Sequence, residues 1–182
     1  MPGPGDLHAF AEALLDACVE ALDTIPIYEP DLFGAPERQI ISPGTPVWDC
    51  CEQLAVHVPL VGEAFTTPGG LDAGRRASRA RINHVSVTAT ITRCVPTGAE
   101  GQSGDYQPPT PAALSAAAEQ IHADGWALFN HLFNMKSSAE LLTLCDEMFF
   151  DGVIAVVPSG GCAGWTVPVR AVIDGYNELL GS

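Results

Sequence analysis

Lysine is almost absent from this chain. Of 182 residues eight are basic, Lys136 being the one lysine, against 22 Asp and Glu, for a net charge of −14. A nucleic-acid binder draws its affinity from clustered cations that neutralise phosphates, so this balance argues against that class and against docking on an anionic bilayer. Charge as a whole is also scarce, at 16% against 47% hydrophobic residues, which is too apolar for a wholly disordered chain. No export signal opens the sequence. Met1-Pro2-Gly3-Pro4-Gly5 has no basic region, and Glu12 and Asp16 interrupt the apolar stretch that follows. The longest uncharged run, 152–169, is broken by Pro158, Pro168 and four glycines, so a membrane span is not expected. A soluble intracellular chain with no membrane partner is the expectation. In that compartment the cysteines at 18, 50, 51, 94, 145 and 162 are expected to be reduced thiols, mostly small buried groups.

The common chemical motifs are missing too. There is no C-x-x-C pair and no His pair three to five residues apart. Cys50 and Cys51 are adjacent and would point opposite ways on an extended chain, and His122 and His131 stand two and a half turns apart on one helix. The glycine-rich loops contain neither a phosphate cradle nor a dinucleotide fingerprint. Ser103 sits in a polar loop with Pro108-Pro109 after it, which is not a nucleophile elbow. Asp146, Glu147 and Asp151 read as a solvated helix end. Two chemical alternatives stay open: a metal site from His57, His84 and a distant Cys, and a nucleophile at Cys162, whose Gly160-Gly161-Cys162-Ala163-Gly164-Trp165 segment superficially resembles that of papain-like enzymes. The expectation is partly buried structural residues, with no catalytic residue, no metal and no cofactor.

What is present is patterned for a single domain over 1–182. A Pro/Gly leader, 1–5, precedes a helix from Asp6, because Leu7, Phe10, Leu14, Cys18, Leu22 and Ile25 recur at helical spacing opposite Glu12, Asp16, Glu20 and Asp23. Residues 26–48 hold five prolines and read as an irregular but anchored connection. Leu54, Val56, Val58 and Leu60 alternate as a strand, with Pro59 near its end or on an edge. Val85, Val87, Ala89 and Ile91 alternate with Ser86, Thr88, Thr90 and Thr92, the pattern of a strand with one wet face. Residues 96–109 are a polar loop excursion. Thr110-Pro111 opens a long helix whose apolar face includes Leu114, Ile121, Leu128 and Leu132, with Gly125 softening its middle. Ser137 and Ser138 offer a cap for a short helix through Cys145. Strands over 153–157 and 166–173 follow, joined by a glycine-rich hairpin loop. The fold class expected is therefore α+β: a mainly antiparallel sheet of about four strands covered on one face by two long helices.

Half of the basic residues, Arg75, Arg76, Arg79 and Arg81, fall in seven positions ahead of the long strand, whereas the first 37 residues hold eight acids and no base. Guanidinium forks suit carboxylates at interfaces. This cluster is the candidate contact patch for an acidic surface, including another copy of this chain, set against the plainer reading of a solvated approach to the strand.

Several segments together resemble a known family. They are the N-terminal helix; Trp48-Asp49-Cys50-Cys51-Glu52-Gln53-Leu54 ahead of a strand; the Gly69-Gly70-Leu71-Asp72-Ala73-Gly74 loop; a long strand ending Thr92-Arg93-Cys94-Val95-Pro96; an Ala-rich helix; and the late hairpin at 160–165. Over about residues 6–175 these resemble the tail terminator proteins of long-tailed phages that infect actinobacteria. The resemblance implies a sheet flanked by helices and a structural virion protein rather than an enzyme. It implies a homo-oligomeric ring, typically a hexamer, that caps the tail tube, ends polymerisation of the major tail tube protein and docks on the head-to-tail connector protein. DNA would pass through the lumen without specific binding. The location implied is the head–tail junction of the virion, and the host cytoplasm during assembly. Another head-to-tail connector component, or a small Cys- or His-dependent cytosolic enzyme, are the alternatives.

Overall fold

The structure is a computed structural model. It describes residues 4–24, 34–42, 52–64, 82–100, 105–135, 144–145, 147–150, 152–159 and 161–172. Helix α1, Pro4–Asp23, begins two residues earlier than expected, inside the supposed leader, with a proline in its first turn. Phe10, Leu14, Cys18 and Leu22 are fully buried, while Glu12, Asp16, Glu20 and Asp23 face solvent. Thr24 closes the last turn on the Glu20 carbonyl through both its backbone N–H (3.0 Å) and its hydroxyl (2.8 Å). Asp23 then accepts the Ala35 N–H at 2.9 Å, which fastens the helix end to the next element.

That element is a strand, β1, Arg38–Ser42, within the segment expected to be irregular. The pair Ile40-Ile41, β-branched and flanked by Pro36 and Pro43, suits five extended residues once β2 lies alongside. β1 runs parallel to β2, Gln53–Ala64, with Arg38 opposite Gln53 and Ser42 opposite His57. β2 is longer than its alternating core. Pro59 falls in a bulge, where Val58 and Pro59 together oppose Val87 of β3, Ile82–Cys94. A proline has no N–H to give a ladder, and β1 no longer flanks β2 at this point, so the bulge absorbs it.

β3 and β8, Cys162–Val172, form the spine of the sheet in unbroken antiparallel register from His84↔Val172 to Cys94↔Cys162. On the far side of β8, β6 (Glu147–Phe150) and β7 (Ile154–Ser159) lie end to end. Between them β6–β7 spends three residues against two on β8, an extra residue absorbed around Gly152, whose φ of 119° suits glycine. β6 replaces the expected helix end at Glu147. The β7–β8 turn is the expected hairpin, but tight: Ser159 pairs Cys162, and Gly161 has φ 81°. The short helix expected at 137–145 lies mostly outside the described residues. In the 96–109 excursion, β4 (Ala99–Glu100) and β5 (Tyr106–Gln107) form a small separate ribbon rather than a plain loop. Helix α2, Pro111–Met135, starts where expected, with the Thr110 hydroxyl accepting the Ala113 N–H at 3.2 Å.

The fold is thus α+β, and among the described residues it has a mixed sheet of six strands, order β1-β2-β3-β8-β6 with β7 also on β8, and two long helices. The expected four antiparallel strands missed the parallel β1 and the edge strand β6. One core joins Phe10, Leu14 and Leu22 of α1 and Leu128 and Leu132 of α2 to Leu54, Val56, Val87, Ala89, Ile91, Val167 and Val169 of the sheet. The other side of β3 is not wet as expected. Thr88, Thr90 and Thr92 are buried, as are the neighbouring Gln53 and Ala55. Threonine carries a methyl group as well as a hydroxyl, so an alternating Thr row is compatible with a second buried face. Thr90 faces Thr166 across the strands, hydroxyl to hydroxyl, at 3.4 Å.

Candidate functional site

Strand alternation puts Arg93 on the same side of β3 as Ile91 and Ala89, facing the helices. It is 4% exposed. Helical spacing puts Asp124 on the same face of α2 as Leu128 and Leu132, and it is fully buried. The two meet in a forked pair: Arg93 Nε donates to Asp124 Oδ2 at 2.8 Å and Nη2 to Oδ1 at 3.0 Å. Arg93 Nη1 reaches Glu52 Oε2 at 3.2 Å, and Nη2 also donates to the Gly34 carbonyl. Glu52 in turn accepts the Cys94 N–H on Oε1 at 2.8 Å. A single guanidinium therefore ties the approach to β1, the start of β2, the end of β3 and the middle of α2.

Charges removed from water are tolerated only when paired and hydrogen-bonded, and this cluster meets that condition. Burial works against the Arg93 cation, but Asp124 and Glu52 outweigh it and hold its pKa above the ordinary value. For Asp124 burial is the larger influence and lifts the carboxyl above its ordinary value, opposed by the Arg93 bonds. Beside the cluster, Trp165 of β8 donates its indole N–H to the Ile121 carbonyl of α2. Gly125 is what admits the ring, since a Cβ there would fall on the indole. Gly125 is thus a seat for Trp165 and not a softening of the helix. The β7–β8 turn closes the group: Val95 N–H donates to the Gly161 carbonyl at 2.7 Å, and Cys94 pairs with Cys162.

Cys162 is disulfide-bonded. Cys18, Cys94 and Cys145 are not, so its partner lies outside the described residues. This corrects the expectation of reduced cysteines throughout, and a sulfur held in a disulfide is no thiolate nucleophile. On the opposite face of the sheet, the Gln53 amide, His57 Nδ1 and Thr92 Oγ1 are buried without a hydrogen-bond partner, and burial lowers the His57 pKa.

Of the sequence-derived candidates that are described, His57, His122, His131 and Glu147 lie apart from this cluster. Arg75, Arg76, Arg79 and Arg81 lie outside the described residues, as do Cys50, Cys51, Ser103, Asp146, Asp151 and the His84 side chain. Glu147 is exposed on β6, His122 is exposed on α2, and His131 stands 3.8 Å from Glu20 of α1. Among the described residues no group of three or more His, Cys, Asp or Glu is placed to hold a metal. Nor is any described helix long and apolar enough to cross a membrane. Sequence reasoning missed Arg93, Asp124 and Glu52. The signal was there in part, because Arg93 and Asp124 are charged residues on otherwise apolar faces. Compared with known proteins, the chain matches no family model and no curated sequence.

Proposed function

We propose that the chain is a tail terminator, a ring-forming structural protein that caps a phage tail tube and joins it to the head connector. The observation that carries this reading is a convergence. Three of the stretches on which the family resemblance rests, at Glu52–Leu54, Thr92–Pro96 and Gly161–Trp165, lie far apart in sequence. They meet around Arg93 through the Glu52, Cys94, Val95 and Gly161 contacts. Likenesses that pack into one unit support a shared fold more than scattered ones do.

A cap of this kind needs no covalent chemistry. It stops growth by matching the tube end on one face and offering no copy of that end on the other, a heterologous contact that closes rather than propagates. The arginines at 75, 76, 79 and 81 would grip an acidic neighbour, and acids lining the lumen would let DNA pass without sticking. The test is to add the purified chain to polymerising tail tube protein and measure tube lengths by electron microscopy. Arrested tubes bearing a ring at one end are expected; unchanged lengths at molar excess would overturn the reading. Binding to the connector but not to tube ends would assign the chain to the connector instead.

A further inference from the structure

Helix α2 has more apolar surface than its core needs. Leu128 and Leu132 face the sheet and are buried, yet Trp126 and Phe133 are 68% and 54% exposed. Between them Phe129 stacks on both rings, 6.2 Å from Trp126 and 5.7 Å from Phe133 between centroids. It also leans on Phe150 of β6 at 5.8 Å. The four rings make one continuous strip along the α2–β6 flank. From Gly125 to Met135 the helix contains no Asp, Glu, Lys or Arg. Its single histidine, His131, is turned toward Glu20 of α1.

We propose that this strip is a contact surface for a second copy of the same chain. Charge selects the occupant. A cationic partner would be drawn to acidic surface such as the outer face of α1, where Glu12, Asp16, Glu20 and Asp23 are exposed, and not to a neutral strip. Another copy, also at −14, is repelled by that surface, and the uncharged strip is a place where two copies can approach without that repulsion. The adjacent sheet edge does not compete for the contact. β6–β7 is broken by the irregularity at Gly152, and β7 has a second one between Val156 and Ser159 that contains Pro158; bulges and prolines blunt an edge against pairing.

Area is sufficient as well. Large aromatics bury about 150–250 Å² each when wholly covered, so the exposed part of four such rings with their flanking side chains, set against an equal area of the neighbour, comes near the roughly 1,000 Å² a specific interface needs. The inference does not depend on the tail reading; in a ring, the strip would be one of the subunit contacts.

Sedimentation velocity and light scattering on the full chain, over a wide concentration range, test it. The wild-type chain is expected to associate. Trp126→Glu combined with Phe133→Glu is expected to weaken association about 100-fold or more, because buried aromatic anchors dominate such contacts. Both positions are exposed, so circular dichroism should not move, nor should the melting temperature at concentrations where both chains are monomeric. Trp126→Ala with Phe133→Ala serves as a milder pair should the acidic variant fold poorly. A wild-type chain that stays monomeric throughout overturns the proposal, as does a variant that associates like the wild type. The outcome separates the two readings. A dimer lost in the variant supports the strip and counts against a six-fold ring. A hexamer lost in the variant supports both. A hexamer kept in the variant supports the ring and overturns the strip.

Discussion

Replacing Asp124 by Asn removes one charge and almost no volume, and its effect follows from where Arg93 is left. Asp124 is fully buried and accepts two of the Arg93 bonds, while the Arg93 side chain is only 5% exposed. Without the carboxylate, the guanidinium keeps the Gly34 carbonyl and Glu52, whose side chain is 47% exposed. Breaking a buried pair from one side strands the other charge and costs about 3–5 kcal/mol. That is a large part of the roughly 5–15 kcal/mol that holds a typical domain together. Glu52→Gln is the matched control. The Glu52 pair sits at the surface, where pairs contribute about 0–1 kcal/mol, and a glutamine can still accept the Cys94 N–H. Urea unfolding should therefore show a much larger loss for Asp124→Asn than for Glu52→Gln. Joint replacement by Arg93→Met and Asp124→Leu should recover much of that loss, since an apolar pair needs no partner. Equal losses for the two single variants, or less than about 1 kcal/mol for Asp124→Asn, would mean that Arg93 is not desolvated as described.

Gly125→Ala should destabilise by about 1–3 kcal/mol through overpacking against Trp165, although the same change in an open helix stabilises by about 1 kcal/mol; a gain in melting temperature would show that the indole does not sit there. Burial pushes the Cys18 thiol from 9.0 up to about 12, so it should resist alkylation in the native state and react only on unfolding. The unfolded chain ionises this thiol first, so the Cys18 contribution to stability is present below pH 9.0 and is lost as pH rises from there toward about 12. Cys18→Ala should flatten that decline in urea midpoint against pH, and an unchanged slope would refute the assignment. Gln53→Met should stabilise by about 1–3 kcal/mol, because both polar atoms of the buried amide lack partners. A loss of that size would reveal a hydrogen bond to the amide.

Elements long enough to repeat their own period were legible in the sequence. α1 and α2 declared themselves by helical spacing, the start of α2 by Thr110-Pro111, the β7–β8 hairpin by its glycines and β3 by alternation. What was hidden depended on neighbours. β1 is five residues among prolines and becomes a strand because β2 runs alongside it. β6 is only Glu-Met-Phe-Phe, too short to show a period. The threonines of β3 read as a wet face because residue type reports polarity and not whether another layer lies over the sheet. Gly125 could not be told from a helix defect without knowing that Trp165, 40 positions later, needed its missing Cβ. The ion cluster was illegible for the same reason. Arg93 and Asp124 each violate a local pattern, but only the packing of α2 on β3 turns two violations into one pair.

The two candidate contacts between copies predict opposite responses to salt, and this decides between them. Among the described cations, Arg38 lies on β1 at the opposite end of the sheet from β6, Arg93 is spent on Asp124 inside the protein, and Arg170 lies over the Phe149 ring at 5.7 Å on the sheet face away from the helices. Near the α2 strip, then, the long-range force between two chains is the repulsion of their net charge. Screening shortens its reach from about 8 Å at 0.15 M salt to about 3 Å at 1 M, while the apolar contact survives. Association through Trp126, Phe129 and Phe133 should therefore tighten as salt rises. Association through Arg75, Arg76, Arg79 and Arg81 against acids of a neighbour should weaken over the same range, since its attraction is what is screened. Sedimentation at the two salt levels gives the sign directly. Tightening that disappears with Trp126→Glu and Phe133→Glu assigns the contact to the strip. Weakening would make the arginine cluster the dominant contact and refute the strip in that role.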